Sequence, residues 1–108
     1  MDRNRLLQAA KFQVEYYFGQ TNYPSDDHLH SLEGLDGWID LNFINKFSKM
    51  KKFRLSLPEV YDMMKKSILV DVEERKWDDD TLYYIRKRNL DLNPEFGRMF
   101  GYDVETIK

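Results

Sequence analysis

The run Asp26-Asp27-His28-Leu29-His30 gathers carboxylates and imidazoles, the groups that ligate metals or move protons. Its spacing matches no standard metal site. Asp78, Asp79 and Asp80 offer a second set of carboxylates, but no glycine or matching glutamate completes a calcium loop around them. The chain has no cysteine, which excludes disulfides, thiolate zinc sites and a cysteine nucleophile. His28 and His30 stand without a nucleophile-and-base set, so no catalytic residue, metal or cofactor is assigned and an enzyme is not expected. The remaining candidates are Gln13, Tyr16 and Tyr17, spaced i, i+3 and i+4, which share one surface if the segment is helical. The same spacing suits the edge of an ordinary core stripe, and Asp26 equally suits a helix cap. Both readings stay open at this point.

The elements that must position these residues follow from periodicity. Leu7, Ala10, Val14, Tyr17 and Phe18 predict a helix over 3–18 with Arg3, Arg5, Lys11 and Glu15 in solvent, closed by Gly19 in a left-handed conformation. Turn residues Gly19, Asn22, Pro24 and Ser25 lead into a short helix over about 26–32, capped by Ser25 or Asp26. A turn at 33–37 precedes a short strand at 38–41. A helix over about 42–53 then presents Phe43, Ile44, Phe47 and Met50 on its apolar face. Ser56-Leu57-Pro58-Glu59 has the form of a capping box and starts a helix carrying Val60, Met63, Met64 and Ser67. Ile68, Val70 and Val72 alternate on a strand, and 82–86 form another. The polar stretch 73–81 between them reads as the exposed tip of an antiparallel hairpin. From Asn89 the pattern weakens, yet Phe96, Met99, Phe100 and Tyr102 are too apolar for a free tail, so a short helix is expected to fold back.

The composition bounds what such a chain can do. With 108 residues, 42% hydrophobic and 15% aromatic, it suits one small domain with a single core. No apolar run approaches the roughly 18–20 residues that span a bilayer, so a soluble chain with no membrane partner is expected. Net charge is −2, from 17 basic and 19 acidic residues, which does not predict a strong phosphate-driven grip on nucleic acid. The charges are segregated, however. Lys46, Lys49, Lys51, Lys52 and Arg54 cluster mid-chain and Arg86, Lys87 and Arg88 form a run. The expected fold is α+β and mainly helical, a winged helix-turn-helix with a small antiparallel sheet over 1–90 and a packed extension over 91–108. That fold serves DNA binding, RNA binding and protein docking alike.

The blocks Q-V-E-Y-Y-F-G-Q-T-N-Y-P-S-D-D-H-L at 13–29, D-G-W-I-D-L at 36–41 and N-K-F-S-K-M-K-K-F at 45–53 resemble the La motif of La and La-related RNA-binding proteins. The resemblance runs over about 5–88, and its first block fixes residue types a generic winged helix has no reason to share. It implies a pocket beside the first helix for the 3′ end of single-stranded RNA, formed by Gln13, Tyr16, Tyr17, Asp26 and Phe47. Aromatic faces would stack on unpaired bases. Asp26 would accept hydrogen bonds from the terminal ribose hydroxyls and repel a terminal phosphate, while Gln13 reads a base edge or sugar. His28 departs from the family pattern, which commonly has phenylalanine there. It can still stack, more weakly and with a pH-dependent charge.

Y-I-R-K-R-N at 84–89 with an aromatic tail resembles the cytoplasmic La-related proteins that bind mRNA and poly(A). A cytoplasmic protein is therefore expected ahead of a nuclear one, as a monomer, with other proteins of an RNA–protein complex as further partners. One alternative is binding of oligouridylate 3′ ends of polymerase III transcripts, as in La proper. The other is a DNA-binding or protein-docking winged helix led by Lys65 and Lys66.

Overall fold

The computed structural model describes residues 2–88, so the extension expected over 91–108 lies outside the described residues. Helix α1 spans Arg3–Phe18, and Asp2 caps it by accepting a hydrogen bond from the Arg5 amide at 3.0 Å. Its inner stripe, Ala10, Val14, Tyr17 and Phe18, is buried as the periodicity predicts. Glu15 is not simply in solvent. It accepts a 2.7 Å hydrogen bond from the hydroxyl of buried Ser67, which in turn accepts from the Leu69 amide, so the start of the sheet is tied to α1.

Gly19 ends α1 with φ −82° and ψ 168°, extended rather than left-handed. Glycine is useful here for proximity, because a Cβ would stand 3.1 Å from the Glu15 carbonyl oxygen. A 3₁₀ turn over Tyr23–Ser25 follows, then α2 over Asp27–Ser31 with Asp26 as its cap. A second 3₁₀ turn over Leu35–Gly37 leads to β1, Ile39–Asp40. Two turn residues here, Asp36 and Gly37, take positive φ (58° and 81°).

The single helix expected over 42–53 is two. Asp40 caps α3, Leu41–Asn45, with its carboxylate on the Asn42 amide, and α4 spans Ser48–Lys51. Between them Phe47 takes extended angles, φ −61° and ψ 142°, and its carbonyl accepts from the Met50 and Lys51 amides as the first acceptor of α4. The break changes which side chains point inward. Leu41, Ile44 and Met50 are fully buried, Phe47 is half-buried and Phe43 is exposed, contrary to its place on the expected apolar face.

Helix α5, Leu57–Met64, carries the capping box in full: Ser56 Oγ accepts from the Glu59 amide at 3.3 Å and Glu59 Oε1 from the Ser56 amide at 3.0 Å. Such a cap is worth about 1 kcal/mol. Strands β2, Val70–Trp77, and β3, Asp80–Lys87, pair antiparallel, and β1 adds to β3 in the order β1-β3-β2. Most of the polar stretch expected as a tip is strand, because cross-strand pairing continues to Trp77 opposite Asp80 and leaves only Asp78 and Asp79 in the turn. Ile68 lies before the strand and is exposed. Val70, Ile39 and Ile85 close the sheet onto the helices, where each fully buried aliphatic contributes about 1.5–3 kcal/mol. This is an α+β winged helix with β2–β3 as its wing.

Candidate nucleic-acid interface

The last two turns of α1 carry Gln13, Tyr16 and Tyr17, and Tyr17 packs on Phe47 at the start of α4. The Tyr17 and Phe47 rings meet edge to face at 5.1 Å between centroids with an 83° interplanar angle. His28 also meets Phe47, at 5.7 Å and 45°. Tyr16 stands beside Tyr17 at 6.4 Å, tilted by 59°, with half of its surface exposed. Phe47 reaches both α1 and α2 from its position in the break between α3 and α4.

Asp26 does two jobs. Its Oδ1 accepts from the Leu29 amide at 3.0 Å as the cap of α2, and its Oδ2 accepts from Asn22 Nδ2 at 2.8 Å. Asn22 also donates to the Tyr17 carbonyl at 3.0 Å, so one side chain fixes the carboxylate to the end of α1. The Leu29 amide, then the Asn22 amide, and then the nearby His28 and His30 hold the Asp26 carboxyl below the usual carboxylate range, despite some burial. Burial raises the Tyr17 hydroxyl, the nearby Gln13 side chain opposes the rise, and the charge of Asp26 adds to it. Gln13, Tyr17 and Asp26 are thus within electrostatic reach of one another. The six residues singled out in the sequence form one neighbourhood: an aromatic cluster with an ionised carboxylate and an amide beside it.

Asn22 is the residue that sequence reasoning missed. It reads only as a turn former, although its position four residues before Asp26 was open to view.

A second network stiffens the same turn. The Tyr23 hydroxyl donates to Glu33 Oε2 at 2.6 Å, and the His30 ring sits between Glu33 Oε1 and the Tyr23 carbonyl, each at 2.7 Å. Both partners of His30 are acceptors, so the doubly protonated ring satisfies both and the pKa is raised, first by Glu33 and then by the carbonyl. Burial and then the Glu33 carboxylate push the Tyr23 hydroxyl up to about 12.

The elements named by the alternative reading look different. At the end of α5, Lys65 pairs with Asp62 at 3.2 Å and lies over the Tyr61 ring, and Glu59 within the helix pairs with Arg3. A concavity of about 440 Å³ between α1 and α5 is walled by Lys11 and Lys66 and equally by Glu59 and Asp62, a balance that does not favour a polyanion. Among the described residues, no group of three or more histidines or carboxylates is placed to hold a metal ion.

Comparison with known proteins identifies the family. The family model for the La domain matches residues 10–66, which carry every element of the aromatic cluster. The chain is 31% identical over 72 residues to La-related protein 7 of Danio rerio, covering 65% of this chain and 13% of that protein. It is 36% identical over 67 residues to Lupus La protein homolog A of Xenopus laevis, covering 59% of this chain and 16% of that protein. With La-related protein 1B of Arabidopsis thaliana it shares 26% over 61 residues, covering 56% of this chain and 14% of that protein. The match therefore spans about one sixth or less of these relatives' lengths. On the strength of the family match over residues 10–66, the chain belongs to the La-domain family.

Proposed function

We propose that this La domain binds the 3′-hydroxyl end of single-stranded RNA through Gln13, Tyr16, Tyr17, Asp26, His28 and Phe47. Family membership supports the RNA-binding role itself and supports no enzymatic one. The observation that carries the finer reading is the pairing of Asp26 with the Tyr17–Phe47–His28 cluster. Aromatic faces accept any unpaired base, each stack contributing about 1–3 kcal/mol. A carboxylate held ionised beside them attracts the two hydroxyls of a terminal ribose and repels a terminal phosphate, so the site reads a chain end before it reads a sequence.

Adenylate-rich 3′ ends of mRNA are our first reading of the base preference, resting on Tyr84 to Asn89. The oligouridylate reading draws support from the 36% identity to the Xenopus laevis La homolog. Titration with short A, U and mixed RNAs, each ending in a hydroxyl or a phosphate, tests both levels. Stronger binding of hydroxyl ends with A above U is the expected result. Equal affinity for the two ends would refute end recognition, and U above A would replace the base assignment.

A further inference from the structure

The outward face of α1 carries a stripe that the 3′-end site uses only at its Tyr16 end. Arg5, Ala9, Phe12 and Tyr16 recur at i, i+4, i+7 and i+11, which places them along one side of the helix, away from Ala10, Val14 and Phe18. Phe12 is 59% exposed and Tyr16 49%, two large aromatic rings left toward solvent one turn apart. The helical rise sets them about 6 Å apart along the axis and puts Arg5 about 10 Å beyond Phe12. The Arg5 side chain is 84% exposed and, among the described residues, pairs only with the terminal-turn Asp2, at 3.6 Å. No carboxylate lies on the stripe between Arg5 and Tyr16, because Glu15 is turned toward Ser67.

We propose that this stripe is a second RNA subsite, in which nucleotides 5′ of the bound end stack on Phe12 and pass a phosphate to Arg5. The inference rests on the 3′-end reading, because Tyr16 belongs to both surfaces and gives the strand a continuous aromatic path from one to the other. A single strand suits the stripe better than a folded partner. Spaced aromatic rings without carboxylates, leading to an exposed cation, combine the stacking platform and the backbone contact that single strands use. A tight apolar interface would call for a broader patch than two rings and an alanine.

Fluorescence-anisotropy titrations with three- and eight-nucleotide RNAs of the same 3′ sequence separate the two surfaces. Phe12→Ala should weaken binding of the longer RNA by about tenfold and leave the shorter one unchanged, with Phe12→Tyr restoring it. Arg5→Gln should make the salt dependence of the longer RNA shallower by about 0.7 in the log–log slope, the value for one phosphate contact on a single strand. Circular dichroism should show both variants folded, since neither side chain is buried. If Phe12→Ala leaves both RNAs unchanged while a 3′ phosphate still weakens the wild type, the stripe is not an RNA subsite and the end site stands. A concentration-dependent dimer in sedimentation velocity that Phe12→Ala abolishes, with RNA affinity unaltered, would assign the stripe to a second copy and overturn the proposal. Loss of the hydroxyl-over-phosphate preference in the wild type would instead remove the reading beneath it.

Discussion

The two aromatic regions of this domain differ in what covers their rings. On the outer face of the wing, Arg75 lies 4.3 Å from the Tyr84 ring and 5.5 Å from Trp38, and Arg86 lies 4.3 Å from Trp38. Those arginines are held in turn by Glu73 and Asp71. At the end of α1, Tyr17, Phe47 and His28 touch one another, and among the described residues no lysine or arginine lies over Tyr16, Tyr17 or Phe47. Arginines already cover Trp38 and Tyr84, although Trp77 near the wing tip stays exposed. In the α1–α2–α4 neighbourhood, by contrast, Tyr17 is nearly buried and Tyr16 and Phe47 keep surface open beside an ionised carboxylate. Counting aromatic and basic residues would rank the wing first as an RNA surface, and the pairing of those residues ranks it second.

Substitutions should separate the two regions sharply. Tyr17→Ala carries the largest expected effect: about 3 kcal/mol of stability, because the ring is nearly buried, together with loss of RNA binding. Tyr17→Phe keeps the packing and serves as the folded control. Phe47→Ala should weaken RNA binding by about 1–3 kcal/mol, read by isothermal calorimetry. Trp38→Ala should leave RNA affinity unchanged and lower stability by about 1–2 kcal/mol through the lost arginine contacts. A wing substitution that weakens RNA as much as Phe47→Ala does would erase the distinction.

Asp26→Asn should preserve a cap for α2 and remove the preference for a 3′ hydroxyl over a 3′ phosphate, a change in the ratio of two dissociation constants. The smallest effect concerns pH. His30 has a raised folded pKa, so its stabilising contribution is complete below the ordinary histidine value of about 6.5 and is lost as pH rises through the raised value. Melting temperatures of wild type and His30→Gln should therefore converge across that rise, by differential scanning calorimetry. Asp26 has the opposite sign: its contribution is present above the ordinary aspartate value of about 3.9 and is lost as pH falls through the depressed one.

Much of this was legible in the residues. The apolar stripe of α1 and the capping box at Ser56 and Glu59 are local patterns that form where the sequence predicts them, and the antiparallel wing forms as expected but with longer strands. The break at Phe47 was not legible, because Phe43, Ile44, Phe47 and Met50 fit one helical face and only packing against α1 and α2 favours the extended residue. Strand length was underestimated for a related reason. Glu73, Glu74, Arg75 and Lys76 are polar as a turn is polar, but cross-strand partners and Asp78 at φ 54° allow a tight turn. Within the site, periodicity places Tyr17, and the family resemblance groups it with Asp26 and Phe47. The part played by Asn22 needed coordinates, since a hydrogen bond from a turn amide to a carboxylate four residues away leaves no pattern in sequence.

The most direct measurement is a nuclear magnetic resonance titration of the domain with a short RNA ending in a 3′ hydroxyl. The largest shift changes are expected at Gln13, Tyr16, Tyr17, Asp26, His28 and Phe47, with Arg75, Trp77 and Tyr84 on the wing unmoved. Changes concentrated on the wing or at Lys65 and Lys66 just after α5 would contradict the assignment of the interface to the end of α1.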